Sequence, residues 1–167
     1  MRFLNFVFPL FLLTSCTTSH IYIVRHGERL NNTDTTSLSA EGHARARLLA
    51  EELAGAGIDS IFCTPYLRTQ QTAAPLAGRL SRSITTYPVS PTDAIVNRLK
   101  RLRGQNALVV GHSNTVLEIV QGLGKKPALA KIEAGDFDNL YEVTLKRGPF
   151  GRTVSLREST YGRPTPP

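Results

Sequence analysis

Two short runs limit the fold of this chain more than anything else in it. Ile21-Tyr22-Ile23-Val24 and Ala107-Leu108-Val109-Val110 are almost wholly apolar and rich in β-branched residues. Strands with no polar face are buried on both sides, as in a parallel sheet covered by helices. Each run stops at a polar group: Arg25-His26-Gly27-Glu28 after the first, Gly111-His112-Ser113-Asn114 after the second. In open α/β sheets, ligands bind beyond the C-terminal ends of the strands.

The segments between these runs alternate in kind. Ser39 is a good helix N-cap with Glu41 in the first turn, and a helix to about Ala54 presents Ala44, Leu48, Leu49 and Leu53. Ser60 to Cys63 is a short strand. Thr64-Pro65 predicts the start of a helix to about Leu80, with a kink or break at Pro75, and places Arg68 in its first turn. Ser83 to Tyr87 reads as a strand, and Ser90-Pro91-Thr92-Asp93 opens a third helix. A fourth follows His112. Leu140 to Lys146 and Thr153 to Arg157 read as the strands of an antiparallel hairpin. The alternation predicts an α/β domain with a mostly parallel sheet. A length of 167 residues and an apolar fraction of 41% suit one domain with a real core.

The N-terminus follows a different pattern. Phe3 to Leu13 is an apolar run of signal-peptide length, too short to span a bilayer as a mature helix. It ends in Leu13-Thr14-Ser15-Cys16, which resembles a bacterial lipobox. Residues 1–15 are therefore expected to be a lipoprotein signal peptide, Cys16 the lipidated first mature residue, 16–19 a short tether, 20–160 the folded domain and 161–167 a disordered tail. The expected location is the bacterial cell envelope, with the domain outside the cytoplasm and a lipid anchor in the membrane. With only Cys16 and Cys63, the chain has neither a disulfide framework nor a zinc site.

Parallel strands bring His26, His112 and Arg68 to one sheet edge. Two histidines, Arg25, Arg68 and helix N-termini make a site for a doubly charged oxyanion. No carboxylate cluster with metal-ligand spacing accompanies them, and neither metal nor cofactor is expected. One imidazole can attack phosphorus if a carbonyl holds the proton of its other nitrogen. A leaving alkoxide needs an acid, for which Asp93 and Glu28 are the candidates. The net charge of +7 favours anionic partners, but the basic run Arg98 to Arg103 reads as a solvated helix face, and nucleic acid is not expected.

Arg25-His26-Gly27-Glu28 resembles the signature of the histidine phosphatase superfamily, which includes the cofactor-dependent phosphoglycerate mutases. Asn32, Leu38-Ser39-Ala40-Glu41-Gly42, the segment Cys63 to Ala73 and Val109-Val110-Gly111-His112 resemble further motifs of that family in the same order. The resemblance implies a three-layer α/β/α fold like that of the phosphoglycerate mutases. It implies a phosphohistidine on His26, phosphate binding by Arg25, Arg68, His112 and Asn32, and a role for Asp93 as proton donor. Cys63 stands where a serine is usual. The implied activity is hydrolysis of small phosphomonoesters by a membrane-anchored phosphatase. The alternatives are mutase-type phosphoryl transfer and a non-catalytic anion-binding lipoprotein. Oligomeric state is not legible in the sequence.

Overall fold

A computed structural model describes residues 16–149 and 151–166. The expected signal peptide, 1–15, lies outside the described residues. The elements are β1 (Thr17–Arg25), α1 (Ala40–Glu52), β2 (Ile58–Cys63), α2 (Leu67–Leu80), β3 (Ile84–Thr86), α3 (Asp93–Leu99), β4 (Asn106–Gly111), α4 (Ser113–Gly122), β5 (Asn139–Gly148) and β6 (Gly151–Thr160). They build one six-stranded sheet in the order β3-β2-β4-β1-β5-β6. Strands β3, β2, β4 and β1 are mutually parallel. β5 and β6 add an antiparallel hairpin to the β1 edge. The expected three-layer α/β/α fold with its C-terminal hairpin is what forms.

Alternation along the strands divides the core. Ile21, Ile23, Ala107, Val109 and Phe62 face α3 and α4, packing with Ile95, Leu99, Val116 and Ile119. Val24, Leu108, Val110, Ile61 and Cys63 face α1 and α2, packing with Leu49, Leu53, Ala73 and Leu76. Residues 107–110 are buried throughout, and of residues 21–24 all but the half-buried Tyr22 are buried, which is why these two runs show no polar alternation.

Four expectations need correction. Residues 17–19 are strand, not tether: Thr17, Thr18 and Ser19 pair with Arg147, Lys146 and Leu145. β5 runs beyond the parallel part of the sheet and offers these polar residues a ladder. Residues 161–166 are held against the domain. Tyr161 is buried, the Tyr161 and Arg163 carbonyls accept from Arg45, and the Thr165 N–H donates to Asp138. The buried stripe of α1 includes Arg45 where Ala44 was expected, because Glu28 and these carbonyls satisfy its guanidinium. Finally, α2 begins at Leu67 and passes through Pro75 without a break, its Ala73, Leu76 and Ala77 packed in the core.

Candidate active site

The site forms where β1, β2 and β4 end. His26 N–H donates to the Gly111 carbonyl at 3.0 Å, extending the β1–β4 ladder by one residue. That bond sets His26 beside His112, with ring centroids 5.4 Å apart and edges facing faces. The loop after His26 lies tight against the start of α1. A Cβ on Gly27 would sit 2.9 Å from the Gly42 carbonyl, and one on Gly42 would sit 2.2 Å from the Glu28 carbonyl. Neither position has room for a side chain.

Arg25, His26, Arg29, Tyr66, Arg68, Val89, His112, Ser113 and Asn114 line a concavity of about 270 Å³. His26 Nδ1 lies 2.7 Å from the Gly27 carbonyl. A carbonyl only accepts, so Nδ1 carries the proton and Nε2 keeps its lone pair. Burial pushes the imidazole down to about 3, with Arg25, His112 and Arg68 acting in the same direction against the Gly27 bond. The ring is therefore neutral near pH 7, as a nucleophile must be.

His112 is fixed by a chain of hydroxyls. Thr69 Oγ1 donates to the Thr64 and Tyr66 carbonyls, at 2.8 and 2.7 Å. Its one proton is spent there, so Thr69 accepts from Thr64 Oγ1 at 3.0 Å. Thr64 then accepts from His112 Nε2 at 2.8 Å, which puts the neutral ring's proton on Nε2. The hydroxyl sought at Cys63 thus sits one residue on, at Thr64. Cys63 itself is a buried thiol pushed up to about 11 by desolvation. Burial, then Arg68, Arg25 and Arg29, lowers His112 to about 4.

The two guanidiniums are held without neutralisation. Arg25 Nη1 donates to the Glu133 and Asp136 carbonyls, each at 2.7 Å, and its plane lies 4.1 Å from the Phe137 ring. Arg68 Nη1 donates to the Asp34 carbonyl at 2.8 Å, and Tyr66 lies 4.3 Å from its guanidinium. Carbonyl dipoles and aromatic faces orient both cations and leave their charge intact. The Nε–H of each is buried without a partner. Orphaned buried donors cost about 1–3 kcal/mol each. Burial and the neighbouring Arg29 lower Arg25 to about 10, so it stays charged near neutrality.

Arg25, His26, Arg68 and His112 therefore converge as the sequence predicts. The other three candidates do not. Glu28 faces Arg45, taking its Nε at 2.9 and 3.0 Å and its Nη2 at 2.7 Å, and lies outside the pocket lining. Asp93 is exposed in the first turn of α3, and Val89 is the residue from that connection which reaches the pocket. Asn32 is exposed on its loop and does not line the site. Among the described residues, no carboxylate lines the concavity. Sequence reasoning missed Arg29, Tyr66, Ser113 and Asn114. Three of these adjoin motif residues, and the cation at Arg29 was the readable signal. Phe137, which supports Arg25, carried none.

Part of the chain is similar to a known family in sequence, and the fold is similar to solved structures. The family model for the histidine phosphatase superfamily (branch 1) matches residues 21–89. The matched stretch is under half of the chain and carries the Arg25-His26-Gly27 and Arg68 segments of the site. An uncharacterised Mycobacterium tuberculosis protein, Rv0525, is 36% identical over 77 residues, 42% of this chain and 38% of that protein. The match thus spans under two fifths of that relative's length. The fold is similar to that of the protein histidine phosphatase SixA solved with tungstate, with TM-score 0.65 and 22% identity, covering 84% of this chain and 96% of that one. It is also similar to mycobacterial glucosyl-3-phosphoglycerate phosphatase Rv2419c, with TM-score 0.63 and 14% identity, covering 86% and 98%.

Proposed function

We propose that the protein is a phosphatase whose His26 Nε2 attacks a phosphoryl group. An N–P bond forms as the bond to the leaving group breaks. Water then attacks the phosphorus, the N–P bond breaks, and phosphate departs with the proton balance of one water. Arg25, Arg29 and Arg68 stabilise the equatorial oxygens, joined by His112, which takes up a solvent proton as the incoming dianion offsets the nearby cations. Such charge stabilisation supplies most of the catalysis in phosphoryl transfer. The observation that carries this reading is the bond from His26 Nδ1 to the Gly27 carbonyl, which aims a bare nitrogen into a pocket of unneutralised cations.

The substrate follows from the pocket's lining. With no carboxylate among the described residues there to hand over a proton, the favoured leaving groups depart without one. Aryloxides and acyl groups qualify, as does an imidazole whose second nitrogen is already protonated. The last is the leaving group of a phosphohistidine, and the fold relative SixA is a protein histidine phosphatase. A missing general acid costs about 10²–10⁴ in rate for poor leaving groups. Turnover of p-nitrophenyl phosphate, acetyl phosphate and glycerol phosphate tests this. kcat/KM should fall at least about 100-fold from the first two to the last. Equal rates would show a working acid, and failure to hydrolyse any of them would refute the phosphatase reading.

The same proposal holds the enzyme at a membrane of the cell envelope through acylated Cys16. Support comes from the Leu13-Thr14-Ser15-Cys16 tetrapeptide and from the exposure of Cys16 at the start of β1. No helix among the described residues is long and apolar enough to cross a membrane. Detergent-phase partitioning that disappears in Cys16→Ser supports the anchor, and partitioning unchanged by that substitution refutes it.

A further inference from the structure

The end of the sheet opposite the pocket gathers unneutralised charge. Three segments meet there: the start of β1, the stretch from Lys100 to Gly104 after α3, and the ends of β5 and β6 that adjoin each other. Gly104 N–H donates to Ser19 Oγ at 3.0 Å, and the Arg147 guanidinium donates to the Lys100 carbonyl. Arg103 and Arg152 act with burial to lower Arg147, which places these three cations within electrostatic reach of one another. Cys16, Thr17, Lys146, Arg147, Arg152 and Thr153 are among the residues lining a concavity of about 400 Å³.

This pole holds Lys100, Arg101, Arg103, Lys146, Arg147 and Arg152. No acidic residue occurs between Ala94 and Leu117 or between Val143 and Arg157. The ion pairs among the described residues use none of these six cations. Asp59, which accepts from the Asn106 N–H near this end, faces Arg82. Glu142, farther along β5, is held by His20 and Arg157. The surface is therefore complementary to a sheet of anions. Its position selects which one. The chain enters the fold here, at Cys16, the residue whose acylation is proposed above, so a bilayer that holds Cys16 meets this pole first. The catalytic histidines lie at the far end of β1, and Thr17 to Arg25 spans about 26 Å.

We propose that this pole is a docking surface for anionic lipid headgroups, which holds the catalytic pocket turned away from the bilayer. The surface acts through charge and does not depend on acylation of Cys16. Each cation near an anionic membrane strengthens binding about fivefold, and the effect fades beyond a Debye length of about 10 Å at 0.1 M salt.

The test uses the full chain carrying Cys16→Ser, so that no acyl chain contributes and failure leaves the anchor reading standing. Partitioning is measured on phosphatidylcholine vesicles and on equal mixtures of phosphatidylglycerol and phosphatidylcholine. Arg101→Gln, Lys146→Gln and Arg152→Gln together, all at exposed positions, should reduce the preference for anionic vesicles on the order of 100-fold. Aryl phosphate turnover should stay unchanged. Should the triple variant not fold, each single variant should lose about fivefold. The control triple Arg47→Gln, Arg79→Gln and Lys126→Gln alters exposed cations elsewhere and should retain the preference. An unchanged preference in the first triple, or equal loss in the control, overturns the proposal. So does duplex DNA that strips the protein from anionic vesicles at equal phosphate concentration.

Discussion

Glu28→Gln separates two roles that the sequence allows for one carboxylate. In the structure, Glu28 makes three hydrogen bonds to Arg45, whose side chain is only 3% exposed. Glutamine keeps one acceptor oxygen but removes the charge that neutralises the guanidinium. The Tyr161 and Arg163 carbonyls remain as neutral partners. Breaking a buried ion pair costs about 3–5 kcal/mol, and Glu28 retains 21% exposure. The retained acceptor and that exposure reduce the loss to about 2–3 kcal/mol. For a domain of this size the melting temperature should fall by roughly 5–10 °C. kcat/KM on glycerol phosphate, whose alkoxide needs a proton to leave, should stay within about threefold when measured well below the new midpoint, because Glu28 does not line the pocket. A general acid behaves oppositely, losing about 10²–10⁴ in rate. An unshifted melting temperature with a loss of that size would refute the reasoning.

Asp93→Asn should leave turnover of aryl and alkyl phosphates within about twofold, since its side chain is exposed on α3 and outside the pocket lining; a large loss on alkyl substrates alone would restore Asp93 as the acid. Thr64→Val removes the oxygen that holds His112 Nε2 and should lower kcat/KM about 10-fold, with Thr64→Ser restoring most of it; equal activity in all three proteins would show that the hydroxyl chain is idle. Stability should depend on pH through His26 and His112, whose folded values of about 3 and 4 lie below the unfolded value near 6.5. The unfolded chain therefore binds more protons, and the contribution is full above about pH 6.5 and lost as pH falls toward 4, by up to about 1.4 kcal/mol per pH unit for each group. Vanadate should offset part of this loss by favouring the charged rings, and a melting temperature flat from pH 7 to pH 4 would contradict both assignments.

The parallel core was legible because burial on both faces leaves a mark in the residues themselves. Ile21 to Val24 and Ala107 to Val110 carry no polar alternation, so their order in space and the meeting of His26 with His112 follow from fold rules. Arg68 was legible because a helix start beyond a strand end faces the same edge. The acid was not. Whether Glu28 serves chemistry or structure depends on Arg45, one turn into α1, and on a chain end that folds back to supply two carbonyls. Ala44 and Arg45 compete for the same inward face, and only the tertiary partners decide between them. The strand identity of 17–19 was hidden for a similar reason. Thr17 and Thr18 pair because β5 extends to meet them, a property of residues far along the chain. Loop 29–37 and the segment 133–137 contribute backbone carbonyls to Arg68 and Arg25. Carbonyls belong to every residue and leave no sequence signature.

The central claim is that His26 Nε2 carries the phosphoryl group. The direct measurement is rapid mixing with 32P-labelled p-nitrophenyl phosphate, an alkaline quench and peptide mapping. The account predicts an acid-labile, alkali-stable label on the peptide containing His26, absent from His26→Ala. Turnover of the wild-type protein without a trapped label on that peptide, or a label on the His112 peptide instead, would contradict it.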